Sequence, residues 1–138
     1  TSSACILHFA FSTLHSAFYQ WDELLRYEPD PGCQGLCPPG WHIPSESDWN
    51  VLFNYYKGQS RAGEALWDPY LNGFTAQPNG AFYQNTLWSY HDFAVIFWSS
   101  TAVDATHAWS HGMNGINFSV SSYPAMKADA FPVRCLQD

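Results

Sequence analysis

Leu36-Cys37-Pro38-Pro39-Gly40-Trp41-His42-Ile43-Pro44-Ser45, followed at once by Glu46-Ser47-Asp48-Trp49, is the stretch on which the reading of this chain turns. Its prolines and glycine forbid a regular element in the first half. Its second half starts a helix: Ser45 with Asp48 three residues later is a capping-box variant. Trp49, Leu52, Phe53 and Tyr56 then recur as an i, i+3, i+4, i+7 stripe, and Gly58 is expected to close the helix as its C-cap.

Upstream, Phe18, Trp21, Leu24 and Leu25 fall at helical spacing, with Gln20, Asp22, Glu23 and Arg26 between them. That pattern predicts an amphipathic first helix over Ala17 to Arg26. Tyr27 to Gly40 carries four prolines and reads as a connector. The apolar run Cys5 to Phe11 is consistent with a buried strand, within an N-terminal strand or extension over residues 1–16.

Downstream of Gln59 helical periodicity fades, and short aromatic stretches such as Ala81-Phe82-Tyr83 alternate with Gly, Pro, Asn and Asp. Phe93 to Ser99, Ala108 to Met113 and Ala130 to Leu136 read as strands, with Pro132 marking an edge or bulge. Helices first and strands later predict one α+β domain over residues 1–138, two helices packed on small antiparallel sheets joined by long loops.

At 138 residues the chain suits a single domain, which buries roughly 68–70% of its unfolded surface at this size. It is 46% hydrophobic and 18% aromatic but only 12% charged, with a formal charge of -7. That field repels phosphate backbones and anionic headgroups, so nucleic acid is not an expected partner. No apolar run reaches the length of a membrane span, so no membrane insertion is expected. Thr1 to Phe11 lacks the basic segment and cleavage pattern of a signal peptide, so the chain reads as a mature or excised piece, with a larger surface chain or assembly as a candidate parent.

Cys5, Cys33, Cys37 and Cys135 are an even number without paired C-x-x-C spacing. Disulfides are therefore favoured over a zinc cage, which implies an extracellular or cell-surface location. Spacing alone leaves three connectivities open.

Three segments occur in a distinctive order: Leu36 to Ser45 with Asp48-Trp49, then Phe97-Trp98-Ser99-Ser100-Thr101, then Phe131-Pro132-Val133-Arg134-Cys135. Together with Tyr19-Gln20-Trp21-Asp22-Glu23 they resemble the Fibrobacter succinogenes major paralogous domain, a family of bacterial secreted and surface proteins, over roughly residues 17 to 138. The resemblance implies a C-type-lectin-like fold, shared with formylglycine-generating enzymes and with the variable proteins of diversity-generating retroelements. It also implies a staple between Cys37 and Cys135, which leaves Cys5 for Cys33.

The remaining signals point to binding. Calcium-dependent lectins resemble a Glu-Pro-Asn or Gln-Pro-Asp loop followed by Trp-Asn-Asp, because calcium needs converging oxygens. Gln77-Pro78-Asn79 lies in a suitable place, but no Trp-Asn-Asp follows; Glu28-Pro29-Asp30 precedes the motif region, and proline turns explain both. His107 and His111 have chelating spacing on a helix, yet the alternation around them suggests a strand. There the two would lie about 13 Å apart, too far to share a metal at about 2.1 Å each. They read as surface histidines, and no metal or cofactor is expected.

No catalytic motif appears, and of the cysteine pair used by formylglycine-generating enzymes only Cys135 is available, so no enzyme activity is expected. Thr101 to Asp129 is rich in Ser, Ala, Asn, His and Thr with isolated aromatics, the composition of adaptable recognition surfaces. It is also where the related retroelement-variable proteins diversify. The candidate contact residues are Trp88, Tyr90, His107, Trp109, His111, Asn114, Asn117 and Tyr123, for an unidentified protein or glycan ligand. The alternative expectation is a structural subunit of an extracellular polymer or pilus.

Overall fold

The structure, a computed structural model, describes residues 11–13, 17–70, 74–83 and 87–138. In chain order the strands and helices are β1 (Phe11–Thr13), β2 (Tyr19–Gln20), α1 (Trp21–Leu24), β3 (Trp41–His42), α2 (Glu46–Tyr55) and α3 (Gln59–Trp67). They continue with β4 (Ala81–Tyr83), β5 (Leu87–Ser89), β6 (Ala94–Ala102), β7 (His107–Asn114), β8 (Val120–Met126), β9 (Ala130–Phe131) and β10 (Arg134–Gln137). Among the described residues these form three antiparallel sheets, ordered β1-β10-β3, β2-β9-β4-β5 and β6-β7-β8. The α+β class expected from the sequence holds, with three helices among the described residues instead of two.

Helix α2 forms as its sequence dictates. Ser45 accepts from the Asp48 N–H at 3.2 Å, and the Asp48 carboxylate accepts from the Ser45 N–H at 3.0 Å, completing the capping box. Trp49, Leu52 and Phe53 are buried. At the other end Gly58 is not the left-handed cap; Lys57 is, at φ 67. The Gly58 N–H bonds Phe53 O and the Lys57 N–H bonds Asn54 O, the crossed pair of a Schellman ending. Gly58, at φ 98, is instead the N-cap residue of α3.

Two further expectations are corrected. The helix foreseen over Ala17 to Arg26 shrinks to the single turn of α1, because Tyr19 and Gln20 pair with Phe131 and Ala130 as strand β2. Arg26 and Tyr27 then turn left-handed, at φ 54 and 61, and end it. Helix α3, absent from the sequence reading, buries Ala62, Gly63, Ala65 and Leu66. An ideal Cβ on Gly63 would stand 1.9 Å from the Phe118 carbonyl oxygen, so α3 approaches the β7–β8 hairpin at a distance only glycine permits.

Strand β6 divides two cores, and its alternating side chains serve both. Ile96 and Trp98 join Trp21, Leu24, Leu25, Ile43 and Phe131 on one side. Val95 and Phe97 join Trp49, Phe53, Leu66, Phe74 and Met113 on the other. Arg134 is buried in this second layer, its guanidinium 4.4 Å from the Phe74 ring centroid and donating to the Phe74 and Thr75 carbonyls. Burial lowers its pKa to about 10; the two carbonyls offset part of the cost of a charge there, while its Nε has no hydrogen-bond partner among the described residues.

The final segment, expected as one strand, is split at Pro132 and Val133. Its first piece, β9, joins the sheet of β2 and β4, and its second, β10, joins that of β1 and β3. Cys37 and Cys135 form a disulfide with a Cα–Cα distance of 5.9 Å across 98 residues, as the resemblance implied. Cys33 is a half-buried free thiol, with its pKa raised first by burial and then by Asp30. Cys5, its expected partner, lies outside the described residues, as does the strand expected over Cys5 to Phe11 apart from Phe11.

Candidate functional site

The β6-β7-β8 sheet has two faces of different fate. Val95, Phe97, His111 and Met113 point towards α2 and α3 and are buried. On the opposite face Trp98, Ala108 and Ala125 are buried near one end. Towards the other end, where Ile96, Gly112 and Ser121 align across the strands, the sheet is left open as a groove of about 350 Å³.

Gly112 and Ser121 contribute to the groove floor, and Tyr83, Tyr90, Phe93 and Tyr123 supply its aromatic lining. Tyr90 sits at φ 61 at the head of a turn in which its carbonyl accepts from the Phe93 and Ala94 N–H groups, at 3.1 and 2.9 Å. That turn sets its ring edge-to-face against Tyr83, at 6.1 Å and 81°, and against Phe93, at 5.7 Å and 86°. Tyr83 lies well above the ordinary phenol range because of burial first, then a hydrogen bond with Tyr123 and the nearness of Tyr90. Burial likewise raises Tyr123. Both therefore remain neutral hydroxyls at physiological pH.

Of the expected contact residues, Tyr90, Asn114 and Tyr123 line this groove. Trp88 stands beside it, half exposed, stacked on Phe82 at 6.0 Å and on His91 at 4.0 Å, with its indole N–H donating to Asn79 O at 2.9 Å. Gln77-Pro78-Asn79 is a turn closed by the Asn79 N–H on Gln77 O at 2.7 Å. Asn114 and Asn117 build the β7–β8 turn: Asn114 Oδ1 accepts from the Ile116 and Asn117 N–H groups, and Asn117 Oδ1 from that of Ser119. The turn presents Ile116, which the sequence reading passed over, at 74% exposure.

Three expected residues lie elsewhere. His107 is at the far end of β7, held against Asp104 and Thr106. Trp109 is half-buried on the face of the sheet away from the groove. His111, expected at the surface, is wholly buried between Trp49 and Phe53, at centroid distances of 5.1 and 5.2 Å. Its Nε2 meets Glu46 Oε1 at 2.7 Å, and its Nδ1 meets Ser122 Oγ at 2.8 Å. The Gln59 amide also donates to that Ser122 oxygen, at 2.5 Å, so the array ties α2 and α3 to the sheet and leaves the hydroxyl fully engaged.

Sequence reasoning missed Tyr83, Phe93, Gly112 and Ser121. A lone glycine inside a β-prone run, as at His111-Gly112-Met113, signals close approach of another group and would have pointed to the floor.

The sequence segments that carry the resemblance meet away from this groove, in a buried seam. Cys37 is bonded to Cys135; the Ser100 N–H and hydroxyl donate to Pro44 O and Ile43 O; the Glu46 N–H donates to Thr101 Oγ1. The Trp98 N–H reaches Pro132 O, and the Trp21 indole N–H reaches Ser99 O. Each of these residues closes a hydrogen bond or the disulfide of one junction. No curated protein and no solved structure matches the chain. The Fibrobacter succinogenes major domain matches it over residues 10–137, which takes in every strand of the seam and of the groove, and the chain belongs to that family.

Proposed function

We propose that this domain is an extracellular ligand-binding or adhesion module of a bacterial surface or secreted protein, with a C-type-lectin-like fold. It recognises a protein or glycan through the tyrosine groove, without calcium. The observation that carries this reading is the groove itself: aromatic walls set at right angles over a sheet whose other face is locked by α2 and α3. Pockets of roughly 300–1,000 Å³ with aromatic linings and a few polar groups are the usual form of ligand sites. The disulfide supports the extracellular location, since such bonds persist in oxidising compartments. The fold reading is supported by the family and by helices in the first half closed onto the last strand by that staple.

The test is a glycan and host-protein array probed with the native domain and with Gly112→Leu. The three atoms nearest a Cβ at Gly112 are side-chain atoms, Ser121 Oγ at 3.1 Å and carbons of Ile96 and Tyr123 at 3.9 Å, so a larger side chain there starts from the groove floor with side chains, which can shift, as its nearest neighbours. Array ligands should be lost from Gly112→Leu while its melting temperature stays within a few degrees of the native value. Retention of every ligand by a folded Gly112→Leu would place recognition elsewhere.

A further inference from the structure

The groove's chemistry narrows its ligand. Four aromatic rings line it, and among the described residues no charged side chain does. All five basic residues of the chain are placed elsewhere: Lys127 lies over Trp21 at 4.3 Å, Arg134 is buried against Phe74, and Lys57, Arg61 and Arg26 lie beside α2, α3 and the connector after α1. An anionic ligand would therefore enter a chain of charge -7 without a counter-charge to meet it.

Between a sugar and an organic cation, the state of the polar groups decides. Sugar sites need free, paired donors and acceptors aimed at adjacent hydroxyls. Here the Tyr83 and Tyr123 hydroxyls bond each other and Asn114 Oδ1 is taken by two backbone N–H groups, which leaves the lining mostly ring and aliphatic surface beside the Tyr90, Ser119 and Ser121 hydroxyls. A primary ammonium brings three N–H donors, each of which needs an acceptor. A quaternary ammonium has no N–H to satisfy and is attracted to the faces of tyrosine and phenylalanine rings, best when several surround it. Tyr90 standing at 81° to Tyr83 and 86° to Phe93 makes the corner of such an enclosure.

We infer that the groove bounded by Tyr83, Tyr90, Phe93 and Tyr123 binds a quaternary ammonium group. This inference rests on the groove being the recognition site. The probe is choline, followed by chemical-shift changes of the intact domain, beside its uncharged carbon isostere 3,3-dimethyl-1-butanol and n-butylammonium at matched ionic strength. Choline should saturate and shift groove resonances, with both comparison compounds at least about five-fold weaker. Tyr90→Leu, which keeps apolar bulk and removes the π face, should weaken choline by about five- to thirty-fold. Phosphocholine run alongside separates sources: weaker binding than choline assigns the site to a quaternary amine without an adjacent phosphate, tighter binding to a phosphocholine headgroup. Equal binding of the isostere, or indifference to Tyr90→Leu, overturns the inference. If choline fails while array ligands still depend on Gly112, only the ligand class is wrong; if array binding also ignores Gly112→Leu, the groove reading falls with it.

Discussion

His42 holds three separate pieces of chain with one ring. Its Nε2 faces Asp48 Oδ2 at 3.0 Å, its Nδ1 faces Asp138 Oδ1 at 2.7 Å, and Asp48 is the residue that completes the cap of α2. With a carboxylate opposite each nitrogen, only the protonated imidazole can donate to both. Its pKa is accordingly raised above the ordinary 6.5, the Asp48 hydrogen bond outweighing burial, with Asp138 adding to it. For Asp48, burial alone would raise the pKa, but hydrogen bonds from His42 and Ser45 bring it below the ordinary 3.8. The His42 contribution is thus complete below about pH 6.5 and is lost as pH climbs through the raised value; the Asp48 contribution is complete above about pH 4 and is lost as pH falls through the lowered one. The melting temperature should therefore decline from pH 6 to pH 9 more steeply in the native protein than in His42→Gln. Parallel curves for the two proteins would contradict this.

At the scale of elements, α3 is the piece whose fit is tightest. Gly63→Ala would ordinarily strengthen a helix by about 1 kcal/mol. Here the methyl would meet the Phe118 carbonyl oxygen at 1.9 Å and its carbon at 2.8 Å, so helix or hairpin must shift. The expected outcome is a net loss of about 1–3 kcal/mol by chemical denaturation, whereas Ser60→Ala on the exposed side of α3 should stay within about 0.5 kcal/mol. A stabilised Gly63→Ala would show that the hairpin yields freely. The same smallness explains why α3 was invisible in the sequence: its buried face is Ala62, Gly63, Ala65 and Leu66, and Gly58 offers no side-chain cap. Helix α2 was legible because Trp49, Leu52 and Phe53 are large and Ser45 and Asp48 announce its start. In α1 the buried positions were read correctly, but the backbone at Tyr19 and Gln20 found a strand partner more than a hundred residues away, which no local pattern records. The groove was half legible. Composition picked out Tyr90, Asn114 and Tyr123, while Tyr83 and Phe93 come to it only through folding. His111 was misplaced because alternation along β7 does not say which face the helices will cover.

For the molecule as a whole, the Cys37–Cys135 bond closes a loop across a sequence separation of 98 residues. Chain-entropy arithmetic gives about 4–5 kcal/mol for a loop of this length. Replacing both cysteines by alanine should lower the unfolding free energy by an amount of that order, read by denaturant titration, with a steeper slope because the unfolded chain is no longer held compact. A loss below about 1 kcal/mol would mean that the hydrogen-bonded seam around the bond fixes the loop unaided. The division of the last segment into β9 and β10 carries a further consequence. Among the described residues β1 and β3 pair only with β10, and β2 pairs only with β9. Three strands of the first half thus wait for residues 130–137, which a ribosome delivers after all of them. Such contacts, far apart along the chain, slow folding by the closure entropy that must be met before they form. A nascent chain lacking those residues has neither sheet edge to close on, so this topology favours folding late and all at once over folding progressively during synthesis.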